Sequence, residues 1–205
     1  QQAAALGIPA CGGLLMLAAQ AAAAEYAFGA AVPKPETVLR ICGELRREQE
    51  NLVLIGMPGS GKTTVGQRAA RLMDREFIDC DERYLAEYGI LPEDELLQNG
   101  EPYFRQRETA LLQKLSLQNG CVIAAGGGAV LRAENISLLR QNGRLCLLQR
   151  PTALLAREGR PLSRDLPELY RQRLPLYLAA ADFTVMNDGL PQNTAARLVR
   201  EFALI

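Results

Sequence analysis

The sequence predicts an α/β protein built on a parallel sheet, and three observations carry the prediction. From Asn51 onward, short apolar runs alternate with segments of helical period. A glycine-rich turn directly follows the first of those runs. Strands and helices taking turns in this way are the pattern of a parallel sheet covered on both faces. Third, 48% of the 205 residues are apolar, enough to fill the core of one substantial domain plus an appendage.

The appendage comes first in the chain. Residues 1–48 are Ala-rich, carry no Lys or Arg before Lys34, and close on a charged amphipathic stretch over Glu36–Glu50. Val32-Pro33-Lys34-Pro35 divides this region into two helical pieces, because proline excludes helix at its own position and biases the residue before it. The apolar segment Leu14–Ala24 is shorter than the roughly 20 residues that span a bilayer, and Gln20 interrupts it. The positive leader of a secretory signal is also missing, so the segment reads as a packed Ala-rich helix. The second domain, 49–205, then holds five strand candidates: Leu52–Ile55, Glu76–Asp79, Cys121–Ala125, Arg144–Gln149 and Asp182–Met186. Helices are expected at Lys62–Met73, Glu82–Glu87, Pro92–Asn99, Tyr103–Gln118, Ala133–Asn142, Pro151–Arg157, Pro167–Tyr177 and Gln192–Phe202.

Ligands on such sheets bind beyond the carboxyl ends of the strands, and the chemistry-bearing residues cluster there. After the first strand comes Gly56-Met57-Pro58-Gly59-Ser60-Gly61-Lys62-Thr63-Thr64. Its glycines let the backbone turn its N–H groups inward, so that loop and helix N-terminus cage a polyphosphate. Lys62 then reaches the β- and γ-phosphates and Thr63 can hold Mg²⁺, which points to ATP or GTP. The eight-position match in strand-to-helix context argues against a turn that binds nothing.

The remaining strand tips allow two readings each. Asp79 and Asp81 at spacing two lie on one side of an extended segment; one can hold a Mg²⁺-bound water while the other accepts from a substrate hydroxyl. Either could instead cap the following helix. Arg105 and Glu108 share one helix face, forming either a preorganised fork for a carboxylate or a solvated ion pair. Gly126-Gly127-Gly128 makes room for a ligand or for a tight crossover.

Charge and composition exclude several classes. Lys plus Arg and Asp plus Glu both total 23, so no global basic field draws nucleic acid. Histidine is absent, which removes the usual hydrolase arrangements, whereas phosphoryl transfer relies on positioning and electrostatics. The five cysteines are widely spaced without a C-x-x-C pair and read as reduced residues of a cytoplasmic protein.

In order, G-x-x-G-x-G-K-T-T, D-x-D, G-E-x-x-F-R-x-x-E, G-G-G, R-P-L and R-x-P-L-Y resemble shikimate kinase over Asn51–Ile205. The resemblance implies a P-loop fold like that of the nucleoside monophosphate kinases, and transfer of the γ-phosphoryl of ATP to the 3-hydroxyl of shikimate. It implies that Gly59, Ser60, Gly61, Lys62, Thr63, Thr64, Arg157 and Arg160 bind ATP, and that Asp81, Arg105, Gly127, Gly128 and Arg173 bind shikimate. Thr63 and, through water, Asp79 would hold Mg²⁺; Lys62, Asp81 and the lid residue Arg160 would act in catalysis. The lid between Arg157 and Arg160 is short for the family, and Arg173 also fits a cation at a helix end. A monomeric kinase part without nucleic-acid or membrane partners is expected. The competing readings are a gluconate-type kinase and a nucleotide-switch module without metabolite chemistry.

Ala5-Leu6-Gly7-Ile8-Pro9, Gly12 to Ala22 and Gly29 resemble the C-terminal end of shikimate dehydrogenase, in which the glutamine matching Gln20 lies at the shikimate site. That resemblance implies a polypeptide fusing two consecutive steps of the shikimate pathway.

Overall fold

A computed structural model describes residues 13–29, 31, 34–155 and 166–204. The chain forms two compact units, Gln1–Glu50 and Asn51–Ile205. In the first, helices α1 (Leu14–Ala27) and α2 (Pro35–Gln49) pack on each other. Pro35 at the first position of α2 suits a helix start, since its missing N–H would have no intrahelical partner there. The Ala-rich helix expected here is α1; it packs against α2, yet none of its residues is buried. Among the described residues, no helix is long and apolar enough to cross a membrane.

The second unit contains β1 (Asn51–Ile55), α3 (Lys62–Met73), β2 (Phe77–Asp79), α4 (Cys80–Tyr88), α5 (Pro92–Asn99), α6 (Glu101–Leu115), β3 (Val122–Ala124), α7 (Ala133–Leu139), β4 (Gly143–Gln149), α8 (Leu166–Ala180), β5 (Phe183–Met186) and α9 (Pro191–Leu204). The five strands are all parallel, in the order β2-β3-β1-β4-β5. β1 is central, with Val53 opposite Ile123 of β3 on one side and Leu145 of β4 on the other. The order reverses at β1, which opens a crevice at the carboxyl end of the sheet.

Strand periodicity divides the core in two. Val53 and Ile55 face a cluster with Tyr84, Phe104, Leu112, Ile123 and Tyr177, while Leu52 and Leu54 face Val65, Ala69, Leu148, Leu198 and Phe202. The strand begins one residue earlier than its apolar run because Asn51, although polar, is fully bonded in place. Its Nδ2 donates to Gln118 O at 2.7 Å and its Oδ1 accepts from Cys121 N–H at 2.8 Å.

Other boundaries moved for local reasons. Helix α4 starts at Cys80, two residues before the expected Glu82, because Asp79 caps it. Helix α6 starts at Glu101 with Pro102 in its first turn. The helix expected over Pro151–Arg157 is a single 3-10 turn, Thr152–Leu154, as far as the described residues extend. Helix α8 runs past Pro175, so Arg173 sits in a helix interior rather than near its end.

A buried polar knot joins α4, α5 and α6. Glu95 is 1% exposed and accepts from Tyr84 Oη at 3.0 Å, Asn99 Nδ2 at 2.6 Å and Arg107 Nη1 at 2.7 Å. The Arg107 guanidinium also lies over the rings of Tyr88 and Tyr103, at 4.8 and 4.7 Å. Burial pushes the Glu95 carboxyl up, but the three donors outweigh it and leave the group below the usual carboxylate range.

A depressed folded pKa contributes stability above the unfolded value of about 4.3, and that contribution disappears as pH falls through the folded value. Glu95→Gln should therefore lower the melting temperature at pH 7 and flatten its fall between about pH 5 and pH 3; an unchanged acid limb contradicts this. Leu198→Ala, at a site 0% exposed, should cost about 2–5 kcal/mol in denaturant unfolding.

Candidate active site

The loop between β1 and α3 is held from both sides of the sheet. Gly61, immediately before α3, has φ 94°, a left-handed conformation that side chains resist, and a Cβ there would lie 2.5 Å from Asn187 Nδ2. That amide, at the tip of β5, donates to Ser60 O at 2.8 Å and is itself oriented by Thr194 Oγ1, 3.0 Å from Asn187 Oδ1. Inside the loop, Lys62 Nζ donates to Gly56 O at 2.9 Å and Met57 O at 3.0 Å. The ammonium is thereby folded across the loop it follows.

The two aspartates at the tip of β2 have separate roles. Asp79 Oδ1 accepts from Asp81 N–H at 3.0 Å, which caps α4, and its Oδ2 accepts from Thr63 Oγ1 at 2.7 Å. The capping alternative therefore belongs to Asp79, while Asp81 lies in the first turn of α4 and lines the cleft.

Arg105 is not a solvated helix charge. Its side chain and that of Glu108 are 8% and 9% exposed, with Nη1 and Oε2 2.8 Å apart. Glu101 Oε1 accepts from its Nε and Nη2, each at 3.2 Å. Burial pushes the Glu108 carboxyl up, the nearby Asp81 carboxylate adds to this, and the Arg105 guanidinium pulls it down.

The glycine turn after β3 accommodates that guanidinium. A Cβ at Gly128 would run into Arg105, and one at Gly126 would lie 3.1 Å from Glu108 Oε1 and 3.5 Å from Asp81 Oδ1. The protein's own charged side chains are thus what comes close to this backbone. Gly127 O accepts from Arg173 Nη1 at 3.1 Å and from Tyr177 Oη at 2.5 Å. Burial lifts the Tyr177 hydroxyl to about 12, so it stays a donor at neutral pH.

These groups surround one cleft of about 610 Å³. It gathers Gly59, Gly61, Lys62, Thr63 and Thr64 from the loop, Asp79 and Asp81 from β2 and α4, and Arg105, Gly127, Gly128 and Arg173. Ser60 is the exception: it is 0% exposed, and its N–H donates to Met57 O at 3.1 Å, within the loop. Arg157 and Arg160 lie outside the described residues. Thr63 and Asp79 offer two oxygens 2.7 Å apart on the cleft wall, a donor set suited to a hard cation such as Mg²⁺.

Two residues at the cleft escape sequence reasoning, one lining it and one behind it. Arg150 follows β4 directly, and its signal is a basic residue at a strand's carboxyl end. Tyr177 supports the cleft from one helical turn after Arg173, a spacing contained in the R-x-P-L-Y motif.

Comparisons with known proteins match this geometry. A model of the shikimate kinase family covers residues 58–203. The shikimate kinase of Neisseria meningitidis serogroup C (strain 053442) is 40% identical over 161 residues, 73% of this chain and 94% of that protein. That of Moorella thermoacetica (strain ATCC 39073 / JCM 9320) is 38% identical over 161 residues, 74% of this chain and 92% of its own. Among solved structures, the shikimate kinase from Acinetobacter baumannii in complex with shikimate superposes with a TM-score of 0.70 at 33% identity, covering 78% of this chain and 96% of that one. The N-terminal helical region has no family assignment, so the dehydrogenase likeness gains no support there. Over its second unit, the chain belongs to the shikimate kinase family.

Proposed function

We propose that the chain transfers the γ-phosphoryl group of ATP to the 3-hydroxyl of shikimate, giving shikimate 3-phosphate. The observation that carries this reading is one cleft joining a phosphate loop to a buried arginine–carboxylate pair, in a member of the shikimate kinase family.

The residues divide the work by chemistry. Arg105, braced by Glu101 and Glu108, and Arg173, braced by the Gly127 carbonyl, clasp the shikimate carboxylate. The carboxylate of Asp81 orients the attacking hydroxyl and accepts its proton. Lys62 and the loop N–H groups hold the phosphates in line with that hydroxyl. By the family resemblance, Arg160 would neutralise charge developing on the transferred group. Thr63 and, through water, Asp79 would hold Mg²⁺, which would supply charge neutralisation at the phosphates. A cytoplasmic location accompanies this reading, in keeping with the free thiols of Cys42, Cys80, Cys121 and Cys146.

We infer in addition that residues 1–48 close a dehydrogenase domain encoded upstream on the same polypeptide. Among the described residues, Phe28 is 92% and Leu17 59% exposed, apolar surface that suits contact with a further domain. An upstream reading frame without dehydrogenase sequence would remove this inference.

Incubation with ATP, Mg²⁺ and shikimate should yield shikimate 3-phosphate by mass spectrometry, with gluconate left unphosphorylated. No product at saturating substrate would remove the assignment. Arg105→Ala should raise KM for shikimate roughly 10- to 100-fold with a smaller change in kcat, the loss expected for charge-assisted hydrogen bonds. Lys62→Ala should instead lower kcat, by about 100-fold or more, and the reverse split would refute both roles.

A further inference from the structure

We propose that Arg150 is a nucleotide-binding residue, a second cation beside Lys62 that takes phosphate oxygens of ATP; the inference rests on the reading of the cleft as an ATP site.

Four observations converge on it. Arg150 leaves the carboxyl end of β4, next to the central strand, where the reversal of strand order opens the crevice. Its side chain lines the cleft together with Gly59, Gly61, Lys62 and Thr63. Among the described residues it forms no ion pair, and its one hydrogen bond, from Nη1 to Gly59 O, is long at 3.4 Å. Its Nε is buried and has no hydrogen-bond partner.

The other two arginines of the cleft are committed. Arg105 is tied to Glu101 and Glu108, and Arg173 to the Gly127 carbonyl. Of these three arginines, Arg150 alone presents a guanidinium edge that finds no acceptor at Nε among the described residues. A buried N–H without an acceptor is unfavourable until one arrives. Beside a loop whose own N–H groups cage polyphosphate, the acceptor that fits a charged planar fork is a phosphate oxygen. An anchoring role for the loop is the competing explanation, but a 3.4 Å bond to Gly59 O is too long to carry it.

Titration calorimetry separates the two, with ATP, ADP, adenosine and shikimate injected into the wild-type chain, Arg150→Met and Arg150→Lys. Arg150→Met should lose about 10- to 100-fold in ATP affinity while adenosine and shikimate affinities stay within twofold, and Arg150→Lys should recover part of the loss. The ligand-free melting temperature should change little, since the one bond lost is the 3.4 Å contact to Gly59 O. Unchanged ATP affinity in Arg150→Met would overturn the proposal, as would equal losses for ATP, adenosine and shikimate, the mark of a damaged loop. If Arg150→Met does not fold, Arg150→Lys decides by the same ratio of ATP to adenosine affinity. Binding is read without turnover, so a wild-type chain that binds ATP but leaves shikimate unphosphorylated would remove the acceptor assignment and leave Arg150 standing.

Discussion

Strand β1 is buried along its whole length because it pairs with β3 on one side and β4 on the other. Its own connection leaves toward β2 and that of its neighbour β4 leaves toward β5, so a crevice opens between their carboxyl ends. The chain must turn there, and it does so through the glycine-rich loop that starts α3. Everything in the site is referred to this turn: β2 brings Asp79 to Thr63, β3 brings the glycines to Arg105, and β5 brings Asn187 to Ser60. The phosphate loop is therefore positioned by β1, β2 and β5 rather than by its own sequence alone.

The acceptor half of the cleft works under a different constraint, the burial of charge. Arg105 and Glu108 are taken out of water together, and removing either would leave the other uncompensated. Two further carboxylates, Asp81 and Glu101, stand close to this pair. Below them the Glu95–Tyr84–Arg107 knot ties α4, α5 and α6 into one block. These three helices are thus tied to one another, and the phosphate loop is tied to the sheet.

Much of this was legible in the sequence where one local rule decides. The bounds of α3 and α5 agree with expectation because a glycine turn starts one and a proline the other, and no tertiary contact competes. Legibility failed where a distant partner decides. Asn51 belongs to β1 only because Cys121 and Gln118 satisfy its side chain, and those are some 70 residues away. The reason for Gly128 is Arg105, a guanidinium no local pattern connects to it. Ser60 matched the loop motif by position, yet its side chain is buried behind the loop instead of lining the cleft. Arg150 carried no motif at all; only the cleft shows what its strand end faces.

On the proposed function, the acceptor half of the cleft recognises a carboxylate through buried arginine. The direct measurement is calorimetric titration of the chain with shikimate and with its methyl ester, which keeps the ring hydroxyls and loses the negative charge. The account predicts that shikimate binds at least about tenfold more tightly than the ester, with the advantage lost in Arg105→Ala. Equal affinities for the acid and the ester in the wild-type chain would contradict it.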